Sequence, residues 1–316
     1  MTTVRAFTFP GQGSQIVGMG KALADAYGEA RAVFEQVDEA LGESLSRLMF
    51  EGPEEELLLT RNAQPALMAV SLAVVRVLEA ESGKAISDMA SYVAGHSLGE
   101  YSALAAARSL DIADAAKLLR LRGEAMQSAV PVGEGAMAAL LGVSLDVARE
   151  IAEAGRAGGG VCDVANDNAD GQVVISGARE AVERAVAAAA EKGARKSVML
   201  PVSAPFHCGL MAPAADAMAE ALAITDLRQP LVPLVANVLA DKLEDPSEIR
   251  IRLVEQVTGM VRWRESVLWM ASQGVTDIVE IGAGKVLTGM AKRIDRSLKG
   301  NAVGTPEEIA AFLETL

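Results

Sequence analysis

Short apolar runs ending at glycine or proline alternate along this chain with longer stretches whose apolar residues recur at three- and four-residue spacing. Ala6–Phe9 predicts a strand that runs into Pro10-Gly11-Gln12-Gly13-Ser14-Gln15. Helical patterning fills Ile16 to Gly83 in pieces, with breaks expected at Gly28, Gly42, Gly52-Pro53 and Asn62. Tyr92-Val93-Ala94, bounded by Gly95, predicts a second strand, followed by helices over Glu100–Arg108 and about Asp111–Val130. Strands separated by helices predict an α/β fold with a mostly parallel sheet.

The rhythm changes between Pro131 and Pro201. Ala136–Gly142 predicts a strand, and Ser144–Ala154 a helix capped by Ser144. Past Gly158-Gly159-Gly160, Val161–Ala165 and Gln172–Ser176 predict strands joined by a polar turn containing Asp170-Gly171. Ala178–Lys192 predicts a helix closed by Gly193, and Arg195–Leu200 a last strand. The order β-α-β-β-α-β is the split βαβ, or ferredoxin-like, pattern. It predicts a small inserted domain over residues 131–201; the alternative is further strands and helices of the main sheet. The α/β pattern then resumes, with helices over Leu210–Ala223, Glu248–Thr258 and Arg264–Gln273 and strands at Val232–Ala236 and Asp277–Ile281. Gly282-Ala283-Gly284 leads into a helix over Val286–Ile294, and Thr305–Leu316 predicts one capped helix.

Composition narrows the function. The 316 residues allow two domains, or one large domain with an insertion. Against 42 Asp and Glu stand 29 Lys and Arg, a net charge of −13, which argues against nucleic acid as a partner. Two histidines, His96 and His207, and two cysteines, Cys162 and Cys208, speak against a His- or Cys-rich metal site and against a disulfide framework. Met1–Phe9 carries no leader pattern, and the apolar segment Pro65–Leu78 is shorter than a bilayer span, so a cytoplasmic protein without membrane attachment is expected.

Gly95-His96-Ser97-Leu98-Gly99 fits G-x-S-x-G between a predicted strand and a predicted helix. In that context Ser97 becomes an exposed nucleophile, and the Leu98 N–H is placed to stabilise an oxyanion. The alternative is a plain glycine-rich turn. An activated serine needs a base. His96 adjoins Ser97 and should diverge from it, which leaves His207, unless His207 is a structural histidine. Arg122 falls on an apolar helix stripe with Ala115, Leu118, Leu119, Met126 and Ala129. Such an arginine answers either a structural carboxylate or a substrate carboxylate. Gln12 lies in a glycine-rich turn that can present an amide to a ligand. Asn166 and Asn168 read as residues of a polar turn.

Several segments together resemble the bacterial malonyl-CoA:acyl-carrier-protein transacylases and the acyltransferase domains of polyketide and fatty-acid synthases. They are Phe9-Pro10-Gly11-Gln12-Gly13-Ser14-Gln15, Gly95-His96-Ser97-Leu98-Gly99-Glu100-Tyr101, Arg122-Gly123 with Met126-Gln127, Asn166-Asp167-Asn168 before Gly171–Gly177, Pro201–Cys208, Val261-Arg262-Trp263 and Gly284-Lys285-Val286-Leu287. The resemblance implies an α/β-hydrolase-like core, residues 1–130 and 202–316, carrying the ferredoxin-like insertion. It implies transfer of a malonyl group from malonyl-CoA through a malonyl-serine on Ser97 to the phosphopantetheine thiol of acyl carrier protein, supplying fatty-acid synthesis. His207 would be the base, oriented by the main-chain carbonyl of Gln256. Gln12 and Leu98 would supply oxyanion N–H groups, and Arg122 would pair with the malonyl carboxylate. Met126, Phe206 and Asn166 would border the substrate. No permanently bound cofactor is implied, coenzyme A thioester being the substrate, and the chain is expected to be a monomer.

The chain departs from the family pattern at Asp167, at Thr258-Gly259-Met260 and at Ala283. Leu98 and Phe206 resemble malonyl-selective members. An acidic carrier protein meeting an acidic chain calls for a local basic patch, with Arg195, Lys196, Lys285, Lys292 and Arg293 as candidates for carrier or CoA-phosphate contacts. Alternatives are a malonyl-handling subunit of a malonate decarboxylase or polyketide system, a serine hydrolase of the same elbow type, and a non-catalytic carrier-binding subunit.

Overall fold

The computed structural model describes residues 3–316. Strand β1 (Arg5–Phe9) is followed by α1 (Lys21–Ala26), α2 (Gly28–Leu41), α3 (Leu45–Glu51), α4 (Glu54–Leu58), α5 (Thr60–Ser82) and α6 (Ile86–Met89). Next come β2 (Tyr92–Gly95), α7 (Gly99–Ala106) and α8 (Ile112–Ser128). A second run has β3 (Gly135–Leu141), α9 (Leu145–Arg156), β4 (Cys162–Ala169), β5 (Gln172–Ala178), α10 (Arg179–Ala189) and β6 (Lys196–Met199). The chain closes with α11 (Ala212–Ile224), β7 (Leu234–Val235), β8 (Lys242–Leu243), α12 (Pro246–Thr258), α13 (Trp263–Ser272), β9 (Asp277–Ile281), α14 (Val286–Ile294), β10 (Lys299–Val303) and α15 (Pro306–Leu313).

The fold is mixed α/β. A six-stranded sheet has the order β10-β9-β1-β2-β7-β8, parallel except for the β7–β8 pair. A four-stranded antiparallel sheet has the order β4-β5-β3-β6, the split order expected for β-α-β-β-α-β. It has its own core, in which Leu140, Ile151, Val173, Ile175 and Val182 are buried. The main core lies between the parallel sheet and its helices, with α5 at its centre.

Three expectations are corrected, and one strand had not been expected. Asn62 breaks no helix: it sits in the first turn of α5 and donates from Nδ2 to the Glu56 carbonyl at 2.7 Å. The apolar segment is therefore a 23-residue helix, long enough to cross a bilayer, but 83% of its most apolar window is buried inside the fold. Asn166 and Asn168 lie on a strand, because β4 runs on to Ala169 through two register shifts that re-aim its side chains. Strand β10 is an edge strand with Val303 as its one fully buried residue, so its sequence carries too little alternation to mark it.

Candidate active site

The loops after β1, β2, β7 and β9 leave the carboxyl ends of the main sheet and gather there, the usual position of a site in an open α/β sheet. The small sheet faces them. Between the two lies a cavity of about 370 Å³ bordered by Gln12, Ser97, Leu98, Arg122, His207 and the apolar Met126, Phe206 and Met290.

Ser97 stands at the turn between β2 and α7 with φ +54°, a left-handed conformation unusual for serine. The two glycines of the motif are there for close approach. A Cβ on Gly95 would fall 1.8 Å from the Gly99 carbonyl carbon, and one on Gly99 would fall 2.2 Å from the Phe9 carbonyl oxygen. The elbow is braced by Asn237, whose Oδ1 accepts from the Ser97 N–H at 2.9 Å and whose Nδ2 donates to the Gly95 carbonyl at 2.7 Å.

His207, 3% exposed and also at positive φ, lies 2.7 Å from Ser97 Oγ through Nε2. Its Nδ1 faces the carbonyls of Gln256 at 2.9 Å and Gly259 at 3.2 Å. Carbonyls only accept, so Nδ1 carries the proton and Nε2 offers its lone pair to the serine hydroxyl. Burial, and then the nearby Arg122 charge, push the imidazole down to about 3. It is thus neutral at physiological pH, with the Nε2 lone pair free to accept a proton. His96 diverges from Ser97, as adjacency suggests, and its Nε2 bonds Asn168 Oδ1 at 2.9 Å. Asn166 borders the cavity from the same strand.

Arg122 is 1% exposed. Its Nη1 donates to Gln64 Oε1 at 2.9 Å, and its Nη2 to Gln256 Oε1 at 2.9 Å and to Ser97 Oγ at 3.1 Å. Among the described residues no carboxylate pairs with it. The structural-carboxylate alternative therefore falls away. Gly123 permits this placement: a Cβ there would meet the Arg61 Cα at 2.5 Å and the Thr60 carbonyl at 2.7 Å, so glycine lets α8 seat against α5, bringing Arg122 to Gln64. Gln12 and Leu98 both border the cavity, and among the described residues the main-chain N–H of neither is taken up by a hydrogen bond.

The five expected cations stand apart from this cluster. None borders the cavity. Arg195 and Lys196 lie beside Leu141, four residues along β3 from the cavity-lining Met137. Lys285 pairs with Glu308 at 2.8 Å, and Arg293 donates to Gln172 at 3.0 Å. Lys292, in the last turn of α14, is exposed.

Three site residues escaped the sequence reading. Gln64 is a lone polar residue in the apolar run Ala63–Ala69, a usable signal. Asn237 follows a strand of the main sheet, where loop residues of such sheets meet ligands. Glu100, inside the elbow motif, is buried and held up at about 8 by burial, so it is an uncharged acid near neutral pH.

A family model described as acyl transferase domain matches residues 6–310. The malonyl CoA-acyl carrier protein transacylase of Bacillus subtilis is 46% identical over 311 residues, covering 98% of this chain and 96% of the relative. The crystal structure of an acyl-carrier-protein-S-malonyltransferase from Bartonella henselae superposes with TM-score 0.96 at 55% identity, covering 99% of each chain. A type II polyketide acyl-carrier protein in complex with its malonyl-transacylase offers a further match, TM-score 0.95 at 42% identity, covering 99% of this chain and 100% of that one. A serine elbow hydrogen-bonded to a neutral histidine and full-length matches of this strength agree: the chain belongs to the acyl transferase domain family, among the malonyl CoA-acyl carrier protein transacylases.

Proposed function

We propose that the enzyme transfers a malonyl group from malonyl-CoA to the phosphopantetheine thiol of acyl carrier protein by a ping-pong route, supplying fatty-acid synthesis. Ser97 Oγ attacks the thioester carbonyl while His207 Nε2 takes its proton. The tetrahedral oxyanion accepts from the N–H groups of Gln12 and Leu98. Its collapse expels the CoA thiolate, which takes the proton back from His207 and leaves a malonyl ester on Ser97. The carrier thiol then attacks the ester, His207 removing its proton and returning it to Ser97 Oγ. The Gln256 carbonyl holds the imidazole in the required tautomer, in the place where serine hydrolases commonly use a carboxylate.

One observation carries the substrate assignment: Arg122 is a buried guanidinium 3.1 Å from Ser97 Oγ, and among the described residues no carboxylate pairs with it. In a malonyl group a single methylene separates the reacting carbonyl from the carboxylate, so a carboxylate partner is needed beside the serine. Met126 and Phe206 supply apolar walls for the methylene and the pantetheine arm, and Asn166 a polar contact near its amides.

In this reading, residues 1–130 and 202–316 form an α/β-hydrolase-like catalytic core and residues 131–201 a ferredoxin-like insertion that completes the cleft. The chain works as a cytoplasmic monomer, without a resident cofactor, and meets its carrier protein transiently. Incubation with malonyl-CoA followed by intact-mass measurement tests the proposal. The wild type should gain one malonyl group and pass it to carrier protein, and Ser97→Ala should gain none. An adduct on Ser97→Ala would sink the assignment.

A further inference from the structure

The groups that hold Arg122 are amides, not acids. Gln64 Oε1 and Gln256 Oε1 each accept from one guanidinium nitrogen at 2.9 Å. Both amides are fixed in orientation. Gln64 Nε2 is turned toward Met126 Sδ at 3.8 Å, and Gln256 Nε2 donates to the Ser97 carbonyl at 2.9 Å and to Glu100 Oε2. Their oxygens therefore face the cation. Glu100 makes no hydrogen bond to Arg122 and is joined to it through the Gln256 amide; burial outweighs the pull of the Arg122 charge and keeps its carboxyl protonated near neutral pH. Leaving a buried cation without a counter-ion is costly and uncommon. Glutamate, of the same size and with the same acceptor, would neutralise the charge at either glutamine position.

We infer that the neutrality of Gln64 and Gln256 is a specificity determinant: the two amides aim Arg122 while leaving its charge uncompensated, reserved for the carboxylate of the acyl donor. A carboxylate at either position would pair with the guanidinium permanently and compete with the substrate. The inference rests on the reading of Arg122 as the malonyl-carboxylate partner, and the test separates the two.

Steady-state transfer from malonyl-CoA and from acetyl-CoA is measured for wild type, Arg122→Ala, Gln64→Met and Gln64→Glu, with Gln256→Glu as a parallel probe and thermal unfolding as a check of integrity. The malonyl-to-acetyl ratio of kcat/KM should fall about tenfold to a hundredfold in Gln64→Glu, mostly through KM for malonyl-CoA, the size of one charge-assisted contact. It should fall less in Gln64→Met, which removes the acceptor but adds no charge. A purely structural role for Gln64 predicts the reverse order, since glutamate keeps its shape and acceptor. A ratio in Gln64→Glu as high as in Gln64→Met, or an equal loss with both donors, overturns the inference. An equal loss with both donors in Arg122→Ala instead overturns the reading of Arg122 beneath it.

Discussion

At the site the decisive quantity is which groups carry charge. Burial leaves His207 neutral, its imidazole pushed down to about 3, and Glu100 a neutral acid at about 8, while Arg122 pairs with no carboxylate among the described residues. The acid limb of serine acylation should therefore lie below pH 5, not at the ordinary imidazole value of about 6.5. Rapid-quench measurement of the acyl-serine between pH 4.5 and 8 checks this, and a limb at pH 6.5 would contradict it. Stability responds in two opposite ways. His207 binds a proton more weakly folded than unfolded, so its contribution is present above about 6.5 and is lost as pH falls toward about 3. Glu100 holds its proton more tightly folded than unfolded. Its contribution is full below about 4.5 and is lost as pH rises through about 8. Chemical denaturation should thus show stability falling over that upper window in the wild type and a flatter profile in Glu100→Gln.

Elements matter here through how closely they approach. The elbow needs β2 and α7 nearly in contact with the end of β1, and Gly99 has no room for a methyl group against the Phe9 carbonyl. Gly99→Ala should cost ~3 kcal/mol by overpacking and should lower acyl-serine formation with both malonyl- and acetyl-CoA, because it moves Ser97 rather than Arg122. Denaturant melts and intact mass on the same samples would show both effects. Most of these elements were legible from period and punctuation: β1, β2 and β9, the long α8, and the β-α-β-β-α-β order all stand close to their expected bounds. Strand β10 was not, since its partner β9 holds it by main-chain bonds that side chains do not advertise. The length of β4 was not either. Asn166-Asp167-Asn168 looks like a turn until Val261 is brought alongside, accepting from the Asp167 N–H at 3.0 Å.

Across the whole molecule, β4 ties the small sheet to the core over the cleft. Asn168 bonds His96, Val261 bridges Asn166, and Asp167, 1% exposed, forms a pair with Arg264 at 2.9 Å. Asp167 thus has a partner in Arg264 and does not border the cavity that Asn166 borders. Charge is also a whole-molecule matter. With a net charge of −13, an acidic carrier protein must find a local exception. Lys285 adjoins the cavity-lining Val286, and Arg293 closes the same helix, whereas Arg195 and Lys196 stand four residues along β3 from the cavity wall. Charge reversal at Lys285 and Arg293 should raise the carrier-protein KM about three- to tenfold and blunt its salt dependence, leaving acylation by malonyl-CoA less affected. An unchanged carrier KM would move the docking surface elsewhere.

By itself the sequence determined the local pattern: a serine in a G-x-S-x-G turn, a second histidine far from it in the chain, the arginine on an apolar stripe and the alternation that builds two sheets. Those signals are local because periodicity, turn residues and motif spacing act within a few residues along the chain. Only the tertiary structure decided what surrounds them. That Arg122 meets Gln64 and Gln256 rather than an acid, that Asn237 braces the elbow, and that Glu100 lies uncharged beneath it depend on residues 19 to 159 positions apart being packed together. Whether a buried cation is neutralised or kept for a ligand depends on distance and burial, and neither is written in the order of residues.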